Sequence, residues 1–136
     1  MAHWLLKSEP SAYSWDQLVK DKRTSWTGVR NFQAQINLKA MKPGDRAYFY
    51  HSGEGKEIVG ICEVVKPAYP DPTDKAGKAI TVDIKAVQPV KQAVTLAAIK
   101  ADPKFKDFKL VRQSRLSVVP VEDEHWNLIL KMSDTK

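Results

Sequence analysis

Arg46-Ala-Tyr-Phe-Tyr-His51-Ser-Gly-Glu-Gly-Lys56-Glu-Ile-Val-Gly-Ile-Cys-Glu-Val-Val65 decides the fold. Arg46–His51 and Glu57–Val65 read as strands joined by the glycine-containing turn Ser52–Lys56. Both are apolar on successive positions, so part of each is expected to be covered on both faces. Gly53-Glu-Gly55 lacks the third glycine and the following helix of a dinucleotide-binding loop and reads as a hairpin turn.

Working outward, His3–Lys7 reads as a short strand and Leu116–Val121 as the last one. In Ile80–Val87, Ile80, Val82, Ile84 and Ala86 point one way and Thr81, Asp83 and Lys85 the other. Ser14-Trp-Asp-Gln17 matches a capping box, which predicts a helix over Trp15–Asp21 with Tyr13 and Leu18 as its hydrophobic staple. Asn31 can cap a helix over Phe32–Met41, where Phe32, Ile36 and Ala40 align along one face before Pro43-Gly44-Asp45 stops it. Thr95 can cap a helix through Ala101. Glu122, Asp123 and Glu124 fill a first helical turn, and Trp126, Ile129 and Leu130 then form a core-facing stripe. Lys66–Lys78 is expected to be a loop, stiffened by Pro67, Pro70 and Pro72, which should keep it out of a ladder. Strands mixed with short helices, without a βαβ rhythm, argue an α+β chain built on a small, mostly antiparallel sheet or open barrel.

At 136 residues one domain over 1–136 is expected, and 43% hydrophobic content suffices for a core. The single cysteine, Cys62, lies in the apolar run Ile58–Val65 and reads as a buried structural thiol, in keeping with a reducing compartment. No apolar run approaches the roughly 20 residues of a membrane span, and the N-terminal apolar stretch is too short for a signal peptide. The expectation is a soluble, cytoplasmic protein, nuclear if eukaryotic. The net charge of +6 favours polyanion partners. His3, His51 and His125 are scattered, and Asp71 and Asp74 lack the EF-hand ligand series, so neither a metal nor a cofactor is expected. His51 and Ser52 are adjacent on a strand and point apart, which keeps them from pairing as base and nucleophile.

Three segments can carry chemistry. Trp26-Thr-Gly-Val-Arg-Asn-Phe-Gln-Ala34 packs an aromatic, a glycine hinge, a cation and an amide beside a helix start. It can wall a pocket for a planar polar molecule such as a nucleobase, with Trp26 either a core ring or a stacking surface. Lys7 and Glu9 lie two apart along an extended segment. They are either an ion pair or, if desolvation lowers the lysine pKa and raises that of the glutamate, a general acid–base pair. Lys104, Lys106, Lys109, Arg112 and Arg115 form a basic run broken by Phe105, Asp107 and Phe108. That run is either a solvated loop anchoring two rings or a phosphate-contacting surface.

Taken in order, Trp4-Leu-Leu-Lys-Ser-Glu-Pro10, Trp26–Ala34, Met41-Lys-Pro-Gly-Asp45, Phe49-Tyr-His-Ser52, Val59-Gly-Ile-Cys-Glu-Val64, Ala68-Tyr-Pro-Asp-Pro-Thr73 and Leu110-Val-Arg-Gln-Ser-Arg-Leu-Ser-Val118 cover nearly the whole chain. This series resembles the EVE domain family, which includes the thymocyte nuclear protein group. The resemblance implies a PUA-like fold, a small pseudo-barrel sheet decorated by helices, related to the PUA, ASCH and YTH domains. It also implies a pocket for a modified base. Modified cytosine in DNA is the favoured class and modified RNA the second, and the base is carried by nucleic acid or free as base or nucleoside.

By that resemblance Trp26 supplies a stacking ring, Gly28 permits close backbone approach, Val29 packs on the base, and Arg30 and Asn31 offer donors. Lys7, Ser8 and Glu9 line the pocket floor. Tyr50, His51 and Ser52 end a strand at the same rim, and Gln113, Ser114, Arg115 and Ser117 close the other side. Lys104, Lys106, Lys109 and Arg112 would meet phosphates. Phe32 stands where the family often has Tyr, and Leu6 where Met is common. The compact length without a basic N-terminal tail is that expected of a stand-alone prokaryotic member. The family implies binding rather than established catalysis; the alternative is a small hydrolase of a modified base or nucleoside acting through Lys7 and Glu9, an analogy with ASCH relatives.

Overall fold

The computed structural model of the chain describes residues 2–53 and 55–135, so Glu54 of the expected turn lies outside the described residues. Six strands form one open sheet: β1 (His3–Ser8), β2 (Arg23–Ser25), β3 (Arg46–His51), β4 (Glu57–Pro70), β5 (Ile80–Thr95) and β6 (Val118–Val121). Their order is β2-β5-β4-β3-β1-β6. Only β1 and β3 pair parallel; the other neighbours are antiparallel. The helices are α1 (Trp15–Asp21), α2 (Phe32–Ala40), α3 (Leu96–Ala101), α4 (Lys109–Arg112) and α5 (Asp123–Met132), with a 3-10 turn at Pro103–Phe105.

The expected hairpin is the centre of this sheet. Tyr48 stacks on Trp126 of α5 with ring centroids 3.9 Å apart, whereas Phe49 lies 5.6 Å from the rings of both Trp15 and Trp26. Neighbouring strand residues face opposite ways, so β3 carries a core on each side. Cys62 is fully buried opposite Ala47, and burial pushes its thiol up to about 12, consistent with a structural role.

Local capping chemistry sets three helix starts. Ser14, Asn31 and Thr95 accept from the backbone N–H of Gln17, Ala34 and Ala98 respectively. Only the Ser14 half of the expected capping box forms, and the Gln17 side chain donates through its Nε2 to Asp21. The face of α2 is the reverse of the one its apolar spacing suggests. Phe32 is 80% and Ile36 46% exposed, while Ala34, Asn37 and Leu38 are buried. Asn37 anchors that inner face by donating to the Val118 carbonyl at 2.7 Å.

Two further differences concern the sheet. β4 runs through Pro67 to Pro70, so the expected loop is irregular only from Asp71 onward. The ladder tolerates Pro67 because its register with β5 shifts between Lys66 and Tyr69, which leaves the missing N–H without a partner to lose. On β5, Thr81 and Asp83 are buried rather than solvated. Asp83 accepts from Arg23, Ser25 and Tyr69, a polar lid over the second face. The edge strand β2 has no sequence signal, since three residues carry no measurable alternation.

Candidate functional site

β2 delivers Trp26 to the sheet edge. The Trp26 N–H donates to the Val82 carbonyl at 2.8 Å, extending the β2–β5 pairing by one residue. The residue is 8% exposed, and its ring meets Phe49 and Tyr13 edge to face. It nevertheless lines a cavity of about 410 Å³, with Lys7, Ser8, Glu9, Tyr13, Thr27, Gly28, Val29, Arg30 and Ser117. The two readings of Trp26 are therefore compatible: it is held by the core and presented to a cavity.

Beyond Trp26 the chain turns at Gly28, whose φ of +83° disfavours any side chain. A Cβ there would meet nothing within 4 Å, so the conformation rather than close packing requires glycine. The wall is tied from behind. The Asp71 carboxylate accepts from the Gly28 N–H at 2.9 Å, from the Arg30 guanidinium at 3.2 Å and from both the N–H and hydroxyl of Thr73. Burial alone would raise the Asp71 pKa; bonds from Thr73, Gly28 and Arg30 outweigh it and hold the group at about 2. Gln35 of α2 makes a second tie, donating to the carbonyls of Val29 and Ile80 and accepting from the Ile80 N–H. Asn31 spends its side-chain oxygen on the α2 cap.

On the floor, β1 ends at Ser8, so Glu9 lies past the strand and is exposed. Lys7 and Glu9 both line the cavity but form no ion pair with each other; the Lys7 ammonium donates to the Ser114 carbonyl at 2.7 Å. Burial lowers the Lys7 pKa. Parallel pairing sets Lys7 beside Tyr50 and Ser8 beside His51.

The remaining sites expected from sequence separate into distinct places. Asn31, Gln113, Ser114 and Arg115 line a second cavity of about 370 Å³ together with Arg112. Tyr50 and Ser52 line a third, of about 230 Å³, shared with Lys7 and Ser114. His51 lines none of these three; its Nε2 accepts from the Trp15 N–H at 3.0 Å and so holds the start of α1. Lys104, Lys106 and Lys109 are exposed and line none of the three, while Phe105 and Phe108 are buried against His125.

Sequence reasoning alone assigns no site role to Tyr13, Thr27, Gln35 or Asp71. Tyr13 reads as a staple, and Asp71 stands in a block matched to the family without a role. Among the described residues no group of three His, Cys, Asp or Glu side chains is placed to hold a metal, and no helix is long and apolar enough to cross a membrane.

Known proteins share this fold. Thymocyte nuclear protein 1 of Gallus gallus is 34% identical over 98% of this chain and 69% of its own length. The NMR structure of Rpa0253 from Rhodopseudomonas palustris matches with a TM-score of 0.93 and 56% identity, covering 98% of this chain and 94% of that one. The crystal structure of human THYN1 protein in complex with 5-methylcytosine-containing DNA matches with a TM-score of 0.91 and 32% identity, covering 100% of this chain and 99% of that one. At 18% identity and a TM-score of 0.62, the YTH domain of Zygosaccharomyces rouxii MRB1 shares the PUA-like fold alone. The model of the EVE domain matches residues 2–132, and the chain belongs to the EVE domain family.

Proposed function

We propose that this chain binds nucleic acid carrying a modified base and receives that base in the cavity walled by Trp26, with 5-methylcytosine in DNA as the favoured ligand. The carrying observation is the Trp26 ring, fixed by Phe49 and Tyr13 yet lining an open cavity. A ring already immobilised loses little entropy when a base stacks on it. The human relative bound to 5-methylcytosine-containing DNA supports the choice of ligand. Extruding a base costs a few kcal/mol, and stacking supplies about 1–3 kcal/mol toward it. Polar groups on the floor and wall, Lys7, Ser8, Glu9 and Arg30, then meet the edge of the base.

The hydrolase alternative needs the Lys7 ammonium and the Glu9 carboxylate both free and held toward a substrate. Lys7 instead donates to Ser114, and Glu9 lies beyond the strand end. Binding is therefore the reading that the geometry favours.

The test compares matched oligonucleotides with and without 5-methylcytosine. Trp26→Ala should lower affinity for the methylated strand about 10-fold or more and erase discrimination. Trp26→Phe, which keeps a ring, should retain most of both. Parental affinity and discrimination in both variants would remove the base from this cavity.

A further inference from the structure

We infer that the cavity on the far side of Lys7 from Trp26 is a phosphate-binding subsite, and that it takes a backbone phosphate of the strand whose base enters the Trp26 cavity. The second half of this statement rests on the base-binding reading above; the anion site itself does not.

The cavity is lined by Lys7, Tyr50, Ser52, Lys56, Lys100 and Ser114, among others, with no carboxylate among the described residues of its lining. None of its lysines has an ion pair among the described residues. Three ammonium groups around one concavity repel one another, and an anion relieves that repulsion.

Tyr50 points to the same ligand independently. The residue is 3% exposed and lines this cavity, and its hydroxyl keeps accessible surface with no hydrogen-bond partner among the described residues. A phosphate oxygen accepts from a phenol, a serine hydroxyl and an ammonium alike.

The backbone is arranged to gather these donors. Lys56 adopts a φ of +41°, uncommon for a residue with a side chain. Its carbonyl accepts from the Leu96 N–H at 2.8 Å, which ties the β3–β4 turn to the start of α3. That tie brings Lys56 to the helix carrying Lys100.

Position makes the anion a nucleic-acid phosphate. Lys7 lines both this cavity and that of Trp26, and Ser114 lines both this cavity and that of Arg112 and Arg115. The Lys7–Ser114 hydrogen bond is thus the partition between a base site and two cationic recesses. A strand with one base inserted has a phosphate on each side of it.

Two measurements decide the matter. Inorganic phosphate titrated into the labelled protein should give saturable amide shifts at Ser52, Gly53, Lys56 and Lys100, and Lys56→Gln/Lys100→Gln should abolish them. No saturable shift, or the same shift in the double variant, overturns the site whether or not any oligonucleotide binds.

Across a salt series, the double variant should bind a single-stranded 5-methylcytosine oligonucleotide about 10-fold more weakly at low salt. Its salt slope should shrink by about 0.7 for each phosphate that the protein no longer neutralises. Its affinity for free 5-methyl-2′-deoxycytidine should stay at the parental value, and Lys104→Gln/Lys106→Gln should change the slope less. Phosphate shifts with an unchanged slope would overturn the backbone assignment. Absence of base discrimination in the parent would instead sink the base-binding reading and leave the phosphate result standing.

Discussion

Asp71 has no exposed side-chain surface, yet it governs what the exposed wall presents. Its two oxygens collect Gly28, Arg30 and Thr73, so the Trp26–Asn31 loop takes its shape from a group 43 residues beyond Gly28 along the chain. Asp71→Asn would replace one acceptor by a donor facing donors. It should weaken binding of the methylated oligonucleotide about 5–10-fold, roughly 1–1.4 kcal/mol. A calorimetric titration returning the parental affinity would show that the wall keeps its shape without the carboxylate. The same separation explains what was legible. Trp26 and Gly28 stand out because a ring and a glycine hinge occur within a few residues. Asp71 reads only as part of a proline-bound loop, since nothing local links it to Gly28.

Elements were legible where their signals are local. The caps at Ser14, Asn31 and Thr95 place three helix starts within the chain's own short-range chemistry. The inner face of α2 was not, because Asn37 faces inward only by virtue of the Val118 carbonyl waiting there. The full length of β4 is hidden for a similar reason: its bulges are a property of the β4–β5 pair, which no single strand announces. One such pairing detail fixes α1. A Cβ on Gly60 would lie 2.6 Å from ring atoms of Trp15, so the strand approaches the helix only as glycine. Gly60→Ala must move Trp15, which is 6% exposed and rests on Phe49. The expected cost is about 1–3 kcal/mol, read as a lower urea midpoint with an unchanged slope. A midpoint equal to that of the parent would mean that the ring can shift without loss.

At the scale of the molecule, the carboxylates whose pKa values are depressed sit together at the β4–β5 end. Asp71 and Asp74 lie in the connection and Asp83 on β5. Asp74 is lowered chiefly by the N–H of Ala79. For Asp83 burial acts upward, but the hydrogen bonds from Tyr69, Arg23 and Ser25 prevail. A carboxylate with a lower pKa in the folded chain binds fewer protons there than in the unfolded chain between the two values. Its contribution is therefore complete above the unfolded value of 3.8 and lost as pH falls toward about 2 for Asp71. That loss amounts to about 2 kcal/mol for Asp71 alone. The β3–β1 side of the sheet is held differently, by the stack of His3, Trp126 and Tyr48. Acid should consequently open the molecule from one side. Between about pH 4 and pH 2, hydrogen exchange should quicken first at Gly28, Thr73 and Ala79, whose N–H groups bond to Asp71 and Asp74. Tyr48, at the centre of the sheet, should keep its protection longer. Asp71→Asn, which does not titrate, should flatten this part of the pH dependence while lowering stability at neutral pH. Simultaneous loss of protection at Gly28 and Tyr48 would show instead that the sheet fails as one unit, and that the base wall has no separate acid sensitivity.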